Sequence, residues 1–225
     1  MNKGIKVKQY DIGYKDLPKV ACTSIKHALY KLKFNKEYNR QELGVHIHRY
    51  FFDKLEDISD ANYRFLIIRD PIKRFLSGYS NRVTHHKELS KNYLEKVKHQ
   101  NAKMLLAKDI PLNPGLGQFF DYFEDYINVP VINHHLKPCI NFLDNGLEPF
   151  NYIYKMEEIS SFENKISSII GQDFKLPRIQ TGGRKFSVKD LTSTQLEFLM
   201  DFYKEDYKLL KEFYTIDDIW KEWKR

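Results

Sequence analysis

Cysteine is almost missing from this chain: two residues, Cys22 and Cys139, stand among 225. They lie most of a domain apart, which gives neither a disulfide framework nor the paired spacing of a zinc site, so a reducing compartment is the default. No metal is expected. Long apolar runs are missing too. Nothing approaches the roughly 20 apolar residues of a membrane helix, and the amino terminus has no apolar core of signal-peptide length. A cytoplasmic protein without a membrane span is therefore expected, and the abundance of Lys, Asn, Ile and Tyr leans toward a bacterium of low genomic GC content. The loop pattern G-x-x-x-x-G-K-[ST] does not occur, which disfavours an ordinary ATPase or GTPase. No internal repeat or low-complexity tract points to an extended scaffold.

What is present fits an enzyme domain. With 42% hydrophobic and 15% aromatic residues, the chain can bury a core of ordinary size, and it reads as one domain over 1–225 with a helical insertion at about 84–127. The net charge is +7, but Lys and Arg alternate with Asp and Glu and no long basic block appears. An anionic cofactor or substrate accounts for that balance as well as nucleic acid does, and no nucleic-acid partner is expected.

Two segments carry the chemistry. In the first, Tyr63-Arg-Phe-Leu-Ile-Ile-Arg-Asp-Pro-Ile-Lys-Arg-Phe-Leu-Ser-Gly-Tyr79, the apolar run Leu66–Ile68 reads as a strand buried on both faces, and Pro71 suits the first turn of a helix. Arg69 then stands at the strand's carboxyl end, the edge where open α/β sheets bind ligands, and Ser77 lies two helical turns on. In the second, Tyr10–Tyr14 is followed by Leu17-Pro-Lys-Val-Ala-Cys-Thr-Ser-Ile-Lys26 and by Ile25, Leu29 and Leu32 at helical spacing. Strand, loop, helix is again the order, and such a loop aims backbone N–H groups and a helix N-terminus at an anion. Lys19 adds a full charge, while Thr23 and Ser24 serve either as the helix cap or as hydroxyl donors to the anion.

A third strand is expected over Gly44-Val-His-Ile-His48, where alternation would place His46 and His48 on one face and Val45 and Ile47 on the other, with a helix over 49–58. An imidazole titrating near 6.5 suits the removal of a proton from a hydroxyl, so His46 is the expected base and His48 its assistant; the alternative is that both merely pack at a strand end.

Together the two segments resemble the sulfotransferases that use 3′-phosphoadenosine 5′-phosphosulfate (PAPS), and most closely their carbohydrate branch, the Golgi-type and heparan 2-O-sulfotransferases. That resemblance implies an α/β fold, a P-loop-like three-layer domain with a central, mainly parallel sheet flanked by helices. It implies that Pro18, Lys19, Val20, Ala21, Cys22, Thr23 and Ser24 hold the 5′-phosphosulfate, Cys22 as a small filler, and that Arg69 and Ser77 hold the 3′-phosphate. The His-x-His pair is similar to the catalytic histidines of the heparan 2-O enzymes. The implied reaction is in-line attack of an acceptor hydroxyl on sulfur, with Lys19 and the loop N–H groups stabilising the leaving adenosine 3′,5′-bisphosphate. A saccharide or glycoconjugate is the implied acceptor. Two other functions stay open: a nucleotide-dependent kinase with a degenerate P-loop, and a noncatalytic polyanion-binding module.

The remaining segments are less specific. Residues 84–109 read as a polar, helical insertion that either lines an acceptor cleft or is simply solvated, the solvated reading being favoured. Leu116, Phe119, Phe120, Phe123, Tyr126 and Ile127 form an apolar stripe expected to lie against the sheet. His134 and His135, in Val131–Cys139, are candidate acceptor contacts or simply a loop pair on the surface. Asn151–Ile159 reads as a strand followed by an acidic helix start. Gln180-Thr-Gly-Gly-Arg-Lys185 is either a cationic lid, with Arg184 on the nucleotide, or a plain turn. Leu196, Leu199, Met200, Tyr203, Tyr207 and Leu210 form the packing face of one long terminal helix.

Overall fold

A computed structural model describes residues 2–179 and 183–225. Its strands are β1 (Lys3–Val7), β2 (Ile12–Lys15), β3 (Glu56–Asp57), β4 (Tyr63–Ile68) and β5 (Tyr152–Lys155). Its helices, in chain order, are α1 (Cys22–Phe34), α2 (Arg40–Leu43), α3 (Ile47–Phe52), α4 (Pro71–Tyr79), α5 (Lys91–Leu94), α6 (Gln100–Leu106), α7 (Leu116–Asp121), α8 (Phe123–Ile127), α9 (Pro130–Leu136), α10 (Ile159–Ile170), α11 (Ser193–Phe202), α12 (Lys204–Leu209) and α13 (Ile216–Lys224). The chain divides into two compact units, one of Met1–Arg69 with Phe142–Thr181 and one of Asp70–Asn141 with Gly182–Arg225.

The first unit holds the sheet, in the order β3-β1-β2-β4-β5. One half is parallel: β2 pairs with β4 from Ile12↔Tyr63 to Lys15↔Leu66, and β4 pairs with β5. The other half is antiparallel, β1 with β2 and β1 with β3. Phe65, Leu66, Ile67 and Ile68 are all buried, as the continuous apolar run requires of a strand covered on both faces. Because β2 and β4 run in the same direction, the loop after Lys15 and the residue after Ile68 emerge on one edge. Gly13 lets the sheet close tightly, since a Cβ there would meet the Ile58 Cβ at 2.7 Å.

Gly44–His48 is not a strand. Gly44 ends α2 in the left-handed region at φ 70°, and His46 caps α3, its Nδ1 accepting from the His48 N–H at 3.3 Å. Helix α3 stops at Phe52, short of the expected 58. The alternation failed because Val45 is exposed while Ile47 is buried, so the two do not share an apolar face.

The second unit is helical. Asp70 caps α4, its Oδ1 accepting from the Ile72 and Lys73 N–H groups at 3.0 Å each, and Pro71 occupies the first turn. The core joins Ile72, Phe75, Leu76 and Tyr79 of α4 to Phe119, Phe123 and Tyr126 and to Leu199 and Tyr203. The aromatic stripe over 116–127 thus packs on helices of its own unit, Phe119 on Phe75 and Tyr79, and Phe123 on Phe198 and Phe202; the strands all belong to the first unit. Residues 84–109 are not merely solvated. Leu89, Leu94, Ala102 and Leu105 are buried in that core, and Tyr93, Val97 and Leu106 pack against it, while Met104 stays exposed. The terminal helix breaks at Tyr203 into α11 and α12, keeping the expected buried face, and α13 adds Trp220 and Trp223 against it.

Candidate anion-binding loop and histidine pair

Between β2 and α1 the backbone passes twice through the left-handed region without a glycine, at Lys19 (φ 70°) and Ala21 (φ 59°). Each such residue costs on the order of 1 kcal/mol, and strain of this kind collects where a loop must hold one shape. Alternation into that region is how successive N–H groups converge into an anion-binding concavity. Ala21 is the residue before α1, and its side chain makes no cap hydrogen bond, so the positive end of the helix dipole has no N-cap side chain on it. Thr23 and Ser24 lie inside the first turn, which removes the capping role for both.

Arg69 closes the loop from the neighbouring strand. Its Nη1 donates to the Lys19 carbonyl at 3.3 Å, across 50 residues of sequence, so a lysine and an arginine meet at one rim of the sheet. Burial first, and then the Asp16 charge, push the Cys22 thiol above its ordinary value, which disfavours the thiolate. Behind the loop, burial raises the Tyr14 phenol well above its usual range, with Asp16 the next cause.

The histidine pair meets the loop through Thr23. His48 Nε2 lies 2.9 Å from Thr23 Oγ1, and His48 Nδ1 lies 2.7 Å from Lys26 Nζ, which in turn contacts Asp16 Oδ2 at 2.5 Å. The His46 ring stacks on His48, centroids 5.1 Å apart and planes 2° from parallel. The two imidazoles therefore share a direction, through a helix start in place of the expected strand.

In the second unit, Ser77 is half-buried on α4, and Gly78 beside it lets α4 approach α9, where a Cβ would fall 2.3 Å from Leu136 Cδ2. His134 and His135 sit on α9, a helix and not a loop; His134 is exposed, and His135 Nδ1 donates to the Val131 carbonyl at 2.8 Å. Arg74 serves the fold. Fully buried, it donates to the His135 carbonyl at 3.2 Å and to the Lys137 carbonyl at 2.5 Å. Arg184 pairs with Asp190 at 3.1 Å and covers the Phe186 ring at 4.6 Å, beside a cavity of about 450 Å³ that Tyr79, Lys87 and Asn113 also line. Gln180, Thr181 and Gly182 of the lid segment lie outside the described residues.

Comparison with known families places the chain. A family model described as "Sulfotransferase family" matches residues 5–214. The chain belongs to the sulfotransferase family. Searches of the curated proteins and of the solved structures found no match. Sulfuryl transfer is thus the family's reaction, and the α/β fold expected from the sequence is the one observed. Among the described residues, no helix is long and apolar enough to cross a membrane.

Two residues that contact this candidate site were not singled out in the sequence, Asp16 and Lys26. A signal for Lys26 existed: it lies one turn after Thr23, and helix side chains lean toward the N-terminus, so a lysine there reaches back toward the loop. For Asp16, next to a strand end among other polar residues, no such signal was available.

Proposed function

We propose that the chain moves a sulfuryl group from PAPS to an acceptor hydroxyl, on a carbohydrate, by in-line displacement. The observation that carries this reading is the Arg69 guanidinium on the backbone of a strained, lysine-bearing loop that opens an uncapped helix. That donor set suits the two ends of PAPS: fixed N–H groups, a mobile ammonium at Lys19 and the Thr23 and Ser24 hydroxyls for the phosphosulfate, and a planar fork at Arg69 for the 3′-phosphate. The motif resemblance assigns Ser77 and Arg184 to the nucleotide and His134 and His135 to the acceptor as well; all four lie in the second unit, and their assignment rests on that resemblance.

In the reaction, the acceptor oxygen forms a bond to sulfur while the bond from sulfur to the phosphate oxygen breaks, and negative charge grows on that bridging oxygen. Lys19 and the loop N–H groups stabilise that charge, positioning and electrostatics supplying most of the acceleration, as in phosphoryl transfer. His46 takes the acceptor's proton at Nδ1, exchanging for it the long 3.3 Å contact from the His48 N–H.

A thermal-shift comparison tests the reading against a kinase and against a polyanion-binding module. Adenosine 3′,5′-bisphosphate at about 100 times its Kd, without metal, is expected to raise Tm by about 5–10 °C. Stabilisation by ATP only, and only with Mg²⁺, would replace the reading with a kinase. No nucleotide effect, with steeply salt-dependent polymer binding, would replace it with a binding module.

A further inference from the structure

The cavity of about 450 Å³ lies wholly within the helical unit and has the size of a small-molecule site. Tyr79 and Val83, both buried, and the half-buried Leu116 and Phe186 supply its apolar lining. Lys87, Asn113 and Arg184 line it as exposed polar residues. Lys87 and Asn113 hold left-handed backbone, at φ 52° and 57°, although neither is glycine, and strained residues of that kind collect at ligand sites. The Arg184 segment is fastened through its main chain: its carbonyl accepts from Ser80 Oγ, at the start of the π-helical stretch Ser80–His85, whose Val83 and Thr84 line the same cavity. Such π-helical turns are frequent at functional sites.

This lining is selective. Two cations stand against one carboxylate, Asp190, whose Oδ1 accepts from Arg184 Nη2 at 3.1 Å; a guanidinium carries five N–H donors, so that pair leaves donors over. The surplus positive charge favours an anion. Asn113 can both give and accept a hydrogen bond, as a sugar hydroxyl requires. A stacked base is disfavoured, because Tyr79 is only 1% exposed and Arg184 already covers a face of Phe186 at 4.6 Å. The apolar lining suits the C–H face of a pyranose instead.

We propose that this cavity binds one pyranose unit carrying a single anionic group, a carboxylate or a phosphate or sulfate ester, held by Arg184 and Lys87. The choice of a sugar rests on the carbohydrate reading argued above, whereas the choice of an anion rests on the cavity alone. Arg184 thereby gains a ligand other than the nucleotide to which the motif resemblance assigns it, and the test separates the two.

The probe is methyl β-glucuronide, followed by amide chemical-shift mapping. The amides of Lys87, Asn113, Leu116 and Arg184 are expected to move together and to saturate, with a Kd on the order of 1 mM for a ligand of that size. The uncharged methyl β-glucoside should bind at least about 10-fold more weakly, and Lys87→Glu should cost the glucuronide about 5-fold. Glucose 6-phosphate, run alongside, distinguishes an ester from a carboxylate, the tighter of the two naming the anionic group. Leu116→Trp, which fills the cavity, should abolish binding; should it fail to fold, the exposed Lys87→Glu still decides. Saturating adenosine 3′,5′-bisphosphate should leave the glucuronide shifts in place. Equal affinity for the glucoside or for inorganic phosphate, an unaltered affinity in Lys87→Glu, or displacement by the bisphosphate would overturn the proposal. A wild type that binds the bisphosphate and neither charged sugar sinks this proposal and leaves the donor-site reading standing; one that binds the glucuronide and no bisphosphate does the reverse.

Discussion

Each unit buries a basic side chain near a carboxylate, and the two pairs are used in opposite ways. In the helical unit, Arg74 and Asp206 are both closed off from solvent, 3.9 Å apart at their nearest atoms, and both are spent on backbone. Arg74 takes the His135 and Lys137 carbonyls, Tyr203 donates to the Leu136 carbonyl between them, and Asp206 accepts from the Cys139 and Ile140 N–H groups at 2.7 and 3.0 Å. Together they finish the carboxyl end of α9, where an unpartnered carbonyl would be costly. In the sheet-bearing unit, Lys26 and Asp16 are spent on side chains that lead to the anion loop. One pair holds main-chain groups at a helix end; the other ties together side chains that lie far apart in sequence.

Removing one member of each pair should therefore break different things. The largest effect is expected from Asp206→Ala, which strands Arg74 without its carboxylate and two N–H groups without their acceptor; a loss of about 3–5 kcal/mol in denaturant unfolding is expected. A loss under about 1 kcal/mol would contradict the structural role. Next come the loop cations. Lys19→Ala should lower kcat by about 10²–10³-fold while the bisphosphate affinity falls far less. Arg69→Ala should weaken binding of the 3′-phosphorylated nucleotide by roughly 10- to 100-fold and, because it also removes the brace on the Lys19 carbonyl, weaken a nucleotide without that phosphate by a smaller factor. Equal losses for both nucleotides would remove Arg69 from the 3′-phosphate.

The smallest effect concerns Asp70, which caps α4 and accepts from the Tyr207 hydroxyl at 3.0 Å. Burial raises its carboxyl from 3.8 to about 6, against the N–H and hydroxyl donors that pull it down. The folded value lies above the unfolded one, so its contribution to stability is complete below about pH 4 and is lost as pH rises through about 6. Asp70→Asn keeps a capping oxygen and removes the titration. Its stability relative to the wild type should improve by about 2 kcal/mol between about pH 4 and pH 7, followed by urea unfolding across that range. A flat difference would mean that the carboxyl titrates normally.

The sequence was most readable where local and tertiary demands agree. Leu66–Ile68 followed by Asp70-Pro71 satisfies strand burial, helix capping and helix entry at once, and the structure has all three. Asn151–Ile159 likewise became a strand, a short helical turn and a helix. It was least readable where one pattern served two geometries. Val45-His46-Ile47-His48 alternates like a strand, but a left-handed Gly44 and the unusual use of a histidine as cap turn it into a helix start. Residues 84–109 hid their core contacts because sparse apolar positions at irregular spacing carry no period. The line from Asp16 to Thr23 was invisible for a different reason: hydrogen bonds between side chains 10 to 25 residues apart leave no periodic trace in composition.

The left-handed turn at Lys19 makes charge deletion there unusually clean. Arg69 grips the main-chain oxygen of that residue, which every substitution retains, and alanine carries the same Cβ into the same backbone region as lysine does. Trimming the side chain thus subtracts an ammonium while the loop keeps both its brace and its tension. A loop shaped by glycines would give no such guarantee, since any replacement would alter curvature and charge together.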